Sequence, residues 1–550
     1  MDQSEAKTAS RVVLIGLDGA TFSVIDPLLA EGKLPHIRAL IERGTRATLL
    51  STIPIVSWSA WPSMMTGKYP GKHGVYHCHQ RKGYQERVIN ALDVRAETIW
   101  ETLSRHGRRV AVIGVPVTYP PRQVNGALVS GVPMPPGVQA HPPEVAVDLS
   151  VGVAGYPSGS SGSDWGRIFR LRGGRALVRH LERSFDLSLR AALHLWRRDA
   201  WDAFLCVFCE LDRVQHIVPW PEDPAGPDAG RRRALLARCY QIADEVVGKL
   251  VAAVGADVTI ALVSDHGFGE NRKTFHLNRW LEDQGWLATT SRAKRRWFVA
   301  RRTVDQALRG IGLEIGGLFG EVPLLLPRCE RVRILDLLDW RRTRAFAAAA
   351  DLDGIYINLR GREPRGIVEP GEQYEEMREA LISTLKQVRD PDTGERIVAW
   401  ARKRENVFQG PYVEQAPDVI YMTRDNSSPE SGRLVVARAI GADARGRAGG
   451  HRLEGIFVLA GPAARRGGAL QDCGIVDVTP TLLHVLGCPI GEDMDGEVLM
   501  PALDQDYLGY RPVEVGEARV PSSDHREDGT SYSPEEERAL EEQLRALGYL

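Results

Sequence analysis

The stretch from Val258 to Gly269 constrains the fold of this chain more than any other part of the sequence. It begins with a short apolar run, Val258–Val263, which is rich in β-branched residues and typical of a buried strand. After Ser264 come Asp265 and His266. Because neighbouring side chains of a strand point to opposite faces, these two can converge only if the chain has already entered a turn. A surface loop explains them too, but a carboxylate and an imidazole converging at the carboxyl end of a strand suit a divalent metal ion.

Two other apolar runs end in the same way. Arg11–Leu17 predicts a strand followed by Asp18, and Trp201–Glu210 predicts a strand followed by Asp212 and His216. If a helix begins there, Asp212 and His216 share one of its faces, because they are four residues apart. In an open α/β sheet, ligands bind beyond the carboxyl ends of the strands. Three aspartates at three strand ends therefore favour a binding site over three unrelated solvated turns.

A serine and a third histidine complete the candidate site. Ser57 lies where an extended segment passes into a helix that begins near Trp58, with Ser59 as the competing hydroxyl. The amides at a helix start are a natural seat for phosphate, although an N-cap explains a serine there equally well. His451 follows two glycines and precedes the apolar strand Ile456–Ala460. Glycines let the backbone approach a crowded site, so His451 is a further candidate ligand.

Length and charge narrow the class of protein. A chain of 550 residues requires either one large domain with insertions or two domains. Its 70 basic and 71 acidic residues balance, so no overall electric field selects a nucleic acid or a membrane. The seven cysteines are scattered, and the sequence lacks an apolar signal region and a long uncharged span. We therefore expect a reduced, cytoplasmic protein, with its oligomeric state left open.

The alternation of apolar and helical segments predicts an α/β fold with a mainly parallel sheet, helices on both faces and two inserted lids. The expected pieces are core segments 11–120, 196–280 and 341–505, insertions 121–195 and 281–340, and a C-terminal tail, 506–550, that ends in a capped helix. The second insertion carries six basic residues within 292–302. A solvated helix face explains this run, and a weak contact with an anionic or lipid surface is the alternative.

Seven motifs resemble the alkaline phosphatase superfamily, in its type I phosphodiesterase/nucleotide pyrophosphatase branch. They are I-G-L-D-G at 15–19, P-I-V-S-W-S-A-W-P-S-M-M-T-G at 54–67, P-G-K-H-G at 70–74, L-D-R-V-Q-H at 211–216, S-D-H-G-F-G at 264–269, G-G-H-R-L-E-G at 449–455 and D-V-T-P-T-L-L at 477–483. Each motif is weak alone, but together they follow the family's order over nearly the whole chain. The resemblance implies an alkaline-phosphatase-like core.

The resemblance also implies a hydrolase that acts on a small phosphoester, not on a nucleic-acid polymer, with two divalent metal ions. It assigns Asp212, His216 and His451 to one ion, Asp18, Asp265 and His266 to the other, and Ser57 as the nucleophile in contact with this second ion. Carboxylates together with imidazoles suit zinc, with coordination positions left open for substrate. Two ions about 3.5–4 Å apart can clamp the attacking and leaving oxygens of an in-line displacement.

One position departs from the family pattern. Nucleotide pyrophosphatases carry an asparagine three residues after the nucleophile, where this chain has Ala60. Loss of one such donor costs about 2.7–4 kcal/mol of transition-state stabilisation in a well-formed site. A phosphomonoesterase, or a phosphoryl transferase similar to phosphoglycerate mutase, therefore remains an alternative on the same fold. Four residues beside the ligand motifs are candidate replacement donors, and surface charge explains each equally well: Arg213, Lys273, His276 and Arg452.

Two further classes are less consistent with the sequence. The segment Ser57–Trp61 lacks the proline and arginine that follow the nucleophile of a sulfatase, which excludes that class. A binding module without catalytic activity is expected to have lost metal ligands. Here all six candidate ligands and the serine are present, so an enzyme is favoured.

Overall fold

The computed structural model describes residues 10–156, 162–218, 229–271, 273–290, 334–348, 354–424, 427–430, 438–441, 449–509, 511–519 and parts of 532–540. The strands in the first half of the chain are β1 Val12–Leu17, β2 Gly44–Leu50, β3 His79–Lys82, β4 Gln85–Val88, β5 Val110–Ile113, β6 Gly126–Val129, β7 Ala140–His141, β8 Ala203–Phe208, β9 Thr259–Val263, β10 Gly267–Glu270 and β11 Lys273–His276. Those in the second half are β12 Ala345–Phe346, β13 Gly354–Ile357, β14 Val398–Lys403, β15 Val419–Thr423, β16 Ser427–Glu430, β17 Ile440–Gly441, β18 Gly449–Arg452, β19 Glu454–Ala460, β20 Gly468–Ala469, β21 Cys473–Gly474, β22 Ile490–Gly491 and β23 Val515–Gly516.

The α-helices connect and cover these strands. They are α1 Phe22–Ala30, α2 Pro35–Glu42, α3 Ser57–Thr66, α4 Pro70–His73, α5 Ile99–Arg105, α6 Pro143–Gly152, α7 Gly162–Arg198, α8 Glu210–Gln215, α9 Ala229–Val254, α10 Leu277–Asp283, α11 Glu372–Leu385, α12 Val478–Val485 and α13 Gln505–Leu508. Within the described ranges, none of these helices is both long enough and apolar enough to cross a membrane.

A ten-stranded sheet forms the centre of the molecule, in the order β20-β2-β19-β9-β1-β8-β5-β6-β7 with β21 beside β2. The pairs β9–β1, β1–β8, β8–β5 and β5–β6 are parallel, whereas β19 is antiparallel to both of its neighbours. Alternate residues of β1 point to opposite faces: Val13 and Ile15 enter a cluster with α2, α7 and α9, while Val12 and Leu14 enter one with α3, α5 and α12. The prediction of a mainly parallel sheet with helices on both faces is confirmed.

The prediction that 121–195 is an insertion outside the sheet is wrong. β6 and β7 lie in this segment and extend the central sheet at one edge. Helix α7 packs against α9 and β8 within the apolar cluster on one face of the sheet. The two strands have only four and two residues, which is too short for an alternating pattern to stand out. Residues 157–161, which belong to a glycine- and serine-rich stretch of this segment, lie outside the described residues.

A second lobe interrupts the predicted third core segment, 341–505. β12, β13, β15 and β14 form a separate antiparallel sheet that packs with α10 and α11 around its own apolar cluster. The assignment of these strands to the central core is therefore wrong, whereas β19 to β21 do belong to the central sheet. A bridge between Thr289 and Leu338 joins the described ends of the predicted lid 281–340 to each other, and Leu287, Leu335 and Leu338 pack in the apolar cluster of this lobe. The basic run 292–302 lies outside the described residues.

The described part of the C-terminal tail docks on the core. Tyr532 stacks on Tyr119 with ring centroids 5.5 Å apart. The Ser533 N–H donates to Glu536 Oε2 at 2.7 Å, and the Glu536 N–H donates to Ser533 Oγ at 3.2 Å. These two bonds form a capping box, which confirms the cap predicted for the helix of the tail.

Gly16 of β1 lets helix α3 pack directly on the sheet. A Cβ atom at this position would lie 2.5 Å from Trp61 Cη2 and 2.8 Å from Val207 Cγ2. Trp61 is fully buried, and its Nε1 donates to Asp18 Oδ2 at 3.1 Å. The glycine therefore sets how closely α3 approaches the end of β1.

We predict that Gly16→Ala lowers the free energy of unfolding by about 1–3 kcal/mol, because the added methyl group overpacks the contact with Trp61. Equilibrium unfolding in denaturant measures this change. Gly230→Ala in α9 is the matched control, since a Cβ atom there meets nothing within 4 Å and should be neutral or slightly stabilising. An unchanged unfolding midpoint for Gly16→Ala would contradict the packing.

Candidate metal centre

Three neighbouring strands bring aspartates to one edge of the central sheet. β9, β1 and β8 are adjacent and parallel, so their carboxyl ends point the same way. Asp18 directly follows β1, Asp265 follows β9, and Asp212 lies in α8 just after β8. All three side chains are buried, with exposed fractions of 2%, 0% and 4%, respectively. The structure thus places the three aspartates together beyond the strand ends.

The first group of side chains surrounds Ser57. His266 Nε2 lies 3.6 Å from Asp18 Oδ1 and 3.4 Å from Asp265 Oδ2. His266 Nδ1 lies 2.9 Å from the carbonyl oxygen of Gly267 and donates to it, which leaves the lone pair on Nε2. Ser57 Oγ lies 3.1 Å from His266 Nε2 and 3.3 Å from Asp18 Oδ1. The serine hydroxyl therefore faces the same space as the two carboxylates and the imidazole.

The second group contains a histidine from a distant part of the chain. β18 pairs antiparallel with β10, which places His451 opposite Phe268. His451 Nε2 lies 3.2 Å from Asp212 Oδ1, and His216 Nε2 lies 3.3 Å from the same oxygen. The two Nε2 atoms are 3.1 Å apart. Because His451 Nδ1 donates to the Ile55 carbonyl oxygen at 2.8 Å, its Nε2 also presents a lone pair to the cluster.

The two groups are continuous. The ligand atoms of Asp18, Asp265 and His266 lie within 4.8 Å of one another, and so do those of Asp212, His266 and His451. The rings of His266 and His451 stack with centroids 3.9 Å apart. The structure therefore brings all six candidate ligands into one cluster, with His266 buried at the junction of the two groups and His216 and His451 half-buried.

The carboxylates repel one another unless a cation lies among them. Burial, and next the charge of Asp212, raise the pKa of Asp265 from 3.8 to about 7. Burial and the charges of Asp265 and Asp212 raise the pKa of Asp18 well above 3.8. Burial opposes ionisation of Asp212 too, but His216 and His451 hold its pKa well below 3.8. Without a cation, two of the three carboxyl groups thus favour protonation.

The donor set fits divalent metal ions. Burial, and next the neighbouring His451, lower the pKa of His266 to about 4, so its imidazole is neutral at pH 7, the form that binds metals. Asp265 Oδ2 is buried and accepts no hydrogen bond from the residues that the structure describes. A buried carboxylate oxygen in this state is costly unless a cation lies beside it. Three carboxylates and three imidazoles are suited to zinc.

Two supporting residues were not predicted from the sequence. Trp61 donates from Nε1 to Asp18 Oδ2 and fixes the carboxylate. Gln215 Nε2 donates to the Gly19 carbonyl oxygen at 2.9 Å, and its Oε1 accepts from the Tyr240 hydroxyl at 2.9 Å. The helical spacing of four residues after the serine could have indicated Trp61. No local pattern could have indicated Gln215, because its partner Tyr240 is on another helix.

The candidate phosphate-side donors differ in their surroundings. Lys273 Nζ is 2.5 Å from Asp390 Oδ1 and 2.8 Å from Asp392 Oδ2, which ties it to the second lobe. The Arg452 guanidinium donates to the His451 carbonyl oxygen at 2.8 Å, so it braces the ligand strand. His276 is buried at the end of β11, and Arg213 is half-buried beside Asp212.

Comparison with known proteins gives a match to one family model and to solved structures of similar fold. A family model described as type I phosphodiesterase/nucleotide pyrophosphatase matches residues 12–443, a range that ends before His451. No curated protein matches the sequence at a significant level. Murine ectonucleotide pyrophosphatase/phosphodiesterase 5 superimposes with a TM-score of 0.50 at 12% identity, covering 90% of this chain and 100% of that chain. An inactive form of the same murine protein in complex with AMP gives the same values. This likeness shows a shared fold.

We predict that Asp265→Asn stabilises the metal-free protein at pH 8 by on the order of a few kcal/mol. The folded-state pKa of Asp265 is raised to about 7, so folding takes up a proton between its unfolded pKa, near 3.8, and pH 7. Stability of the parent is therefore lost as the pH rises through that window, whereas asparagine has no such loss. Thermal unfolding in a chelator at pH 4 to 8 measures the difference, which should widen with pH.

With zinc bound, we expect the parent to be more stable than Asp265→Asn. Asparagine supplies no charge to the ion, so the variant gains less stability from the metal than the parent does. The matched control is Asp257→Asn, an exposed carboxylate 2.8 Å from Arg11, which should show no stabilisation. A metal-free Asp265→Asn protein no more stable than the parent at pH 8 would contradict the buried repulsion.

Proposed function

Because the chain belongs to the type I phosphodiesterase/nucleotide pyrophosphatase family and is a hydrolase of that type, we propose that it cleaves small phosphoesters through a phosphoserine on Ser57. The proposed ligands of two divalent ions, with zinc as the expected metal, are Asp18, Asp265 and His266 for one ion and Asp212, His216 and His451 for the other. The complex of the murine relative with AMP supports a nucleotide phosphoester or pyrophosphate as substrate.

The observation that carries this proposal is the direction of three serine hydroxyls in α3. Ser57 Oγ faces the cluster, 3.1 Å from His266 Nε2. Ser59 Oγ donates to the Pro54 carbonyl oxygen at 2.9 Å, and Ser63 Oγ donates to the Ser59 carbonyl oxygen at 2.8 Å. Of these three hydroxyls, only that of Ser57 lies where it can attack a phosphorus atom held at the cluster.

The residues around Ser57 support an in-line displacement. Ser57 is the first residue of α3, so the helix amides at this end favour the charge of a phosphate group. Asp18 and His266 orient the hydroxyl before substrate arrives. Bound divalent ions would polarise the phosphoryl oxygens and lower the pKa of the serine hydroxyl.

The proposed reaction then has two steps at phosphorus. The Ser57 oxygen forms a bond to phosphorus and loses its proton to solvent, while the bond to the leaving alcohol or nucleotide breaks. Water attacks the phosphoserine next, so that inorganic phosphate or a phosphomonoester leaves and the hydroxyl of Ser57 is restored.

Ala60 supports a second candidate function on the same site. It is fully buried in the apolar cluster that packs α3 on the sheet, so this helix position offers no hydrogen-bond donor to a phosphate oxygen. A phosphomonoesterase, or a phosphoryl transferase similar to phosphoglycerate mutase, is the class of enzyme consistent with that loss. The complete ligand set argues against a binding module without catalysis.

We predict that Ser57→Ala reduces kcat by at least about 10³-fold, because the nucleophile is removed. Its metal content should stay close to that of the parent, since six other protein ligands remain. Ser59→Ala is the matched control and should retain most activity, because the hydroxyl that it loses donates to the carbonyl oxygens of Pro54 and Val56 and not to the cluster. Steady-state rates and metal analysis measure both properties, and acid quenching with peptide mapping should place phosphate on Ser57. Near-normal turnover in Ser57→Ala would favour direct attack by water.

We predict that the metal-loaded enzyme prefers diesters over monoesters by at least about tenfold in kcat/KM, or ~1.4 kcal/mol. Rates with bis(p-nitrophenyl) phosphate, p-nitrophenyl phosphate and a nucleotide pyrophosphate, measured at equal enzyme concentration, decide between the classes. A preference for the monoester would support the second candidate function and contradict the first.

A further inference from the structure

His77, Cys78 and His79 form a compact cluster that shares no residue with the candidate catalytic site. Cys78 Sγ lies 3.2 Å from His77 Nδ1 and 3.3 Å from His79 Nδ1. The ligand atoms of all three residues lie within 4.8 Å of one another. Two imidazoles and a thiol are a ligand set for a thiophilic metal ion.

The backbone holds this arrangement against the usual alternation of side chains. In an extended chain, His77 and His79 would share one face and Cys78 would point to the other. Here the chain bends at 77–78, just before β3, so the sulfur lies between the two rings. The Ile89 N–H donates to the Cys78 carbonyl oxygen at 3.0 Å, and His79 pairs with Val88 across the β3–β4 hairpin. These contacts fix the bend that makes the three side chains converge.

The distances to the sulfur are close to those around a bound ion. Zinc bonds of about 2.3 Å to sulfur and about 2.0–2.1 Å to nitrogen place the two donor atoms roughly 3.5 Å apart in a tetrahedron. The observed separations of 3.2 and 3.3 Å need only a small adjustment to reach this value. A neutral thiol can donate its one proton to one ring and accept an N–H from the other, so the two contacts by themselves do not require a metal. They place the sulfur and both Nδ1 atoms where a thiolate and two imidazoles could hold one ion together.

The position of the cluster suggests a structural role. Cys78 is fully buried and His77 is 2% exposed, whereas His79 is half-buried and gives access from one side. Cys78 packs in one apolar cluster with Val56 and Trp58, the residues on either side of Ser57. An ion held here would therefore fix the start of the β3–β4 hairpin beside the residues that flank Ser57.

We propose that His77, Cys78 and His79 bind one thiophilic ion of the zinc class, at a structural site separate from the phosphoester chemistry. Binding converts the Cys78 thiol to a thiolate and releases its proton to solvent, while the two imidazoles bind as neutral ligands. The proposal does not depend on the function of the catalytic cluster, whose ligands are carboxylates and imidazoles only.

Cobalt(II) distinguishes the two sites, because only a thiolate ligand gives an intense near-ultraviolet sulfur-to-cobalt charge-transfer band. The full-length protein is stripped with a chelator and titrated with Co²⁺ alone. We expect this band in the parent protein, with an intensity at saturation that corresponds to one thiolate-bound Co²⁺ per chain, and the same band in Ser57→Ala. Absence of the band from the folded parent would overturn the proposal, whatever the phosphoesterase activity of the protein.

Matched variants test which cysteine gives rise to the sulfur-to-cobalt charge-transfer band. Cys78→Ser should abolish the band, and Cys209→Ser, which changes the half-buried thiol near Asp212, should leave it unchanged. Because Cys78 lies in the core, His79→Gln provides a second variant at a half-buried position. It should weaken the apparent affinity for Co²⁺ at least about tenfold. A band that survives Cys78→Ser, or an affinity unchanged by His79→Gln, would overturn the assignment.

Discussion

The parallel pairing of β9, β1 and β8 is the constraint on which the rest of the site depends. It brings three buried carboxyl groups to one edge of one sheet, where burial and mutual repulsion raise the pKa of two of them, Asp18 and Asp265. A fold that keeps such a cluster gives up stability in the absence of cations and regains it when they bind. The same electrostatic energy therefore affects both properties of this family member. Repulsion that destabilises the fold without cations also favours the binding of cations.

The surrounding packing converts this electrostatic cluster into an oriented site. The missing side chain at Gly16 admits Trp61, which holds the carboxylate of Asp18, and α3 in turn presents Ser57. Backbone carbonyls accept from the Nδ1 atoms of His266 and His451, so both rings turn Nε2 toward the cluster. The positions of the side chains in the site are thus set by the sheet, by helix packing and by backbone hydrogen bonds, and not by the ligands alone.

The sequence indicated the strand-end aspartates because each follows an apolar run, a signal that is local and strong. The parallel sheet and the capping box of the tail were predictable for the same reason. The short strands β6 and β7 were not, since tertiary pairing and not composition makes them strands. The second lobe was also missed, because short strands with an apolar core of their own resemble, in sequence, those of the central sheet. The support from Gln215 depends on Tyr240 and is visible only in three dimensions.

The pairing of β18 with β10 has a consequence for the order in which the protein is made. Asp18, Asp265 and His266 are all present once about half of the 550 residues have left the ribosome. The partner of His216 in the other group, His451, is 235 residues further along and is placed only when β18 joins β10. One half of the cluster can therefore form during translation, while the other must wait until most of the chain has been synthesised. If the cluster holds two ions as proposed, the group of ligands for one of them is complete earlier in synthesis than the group for the other.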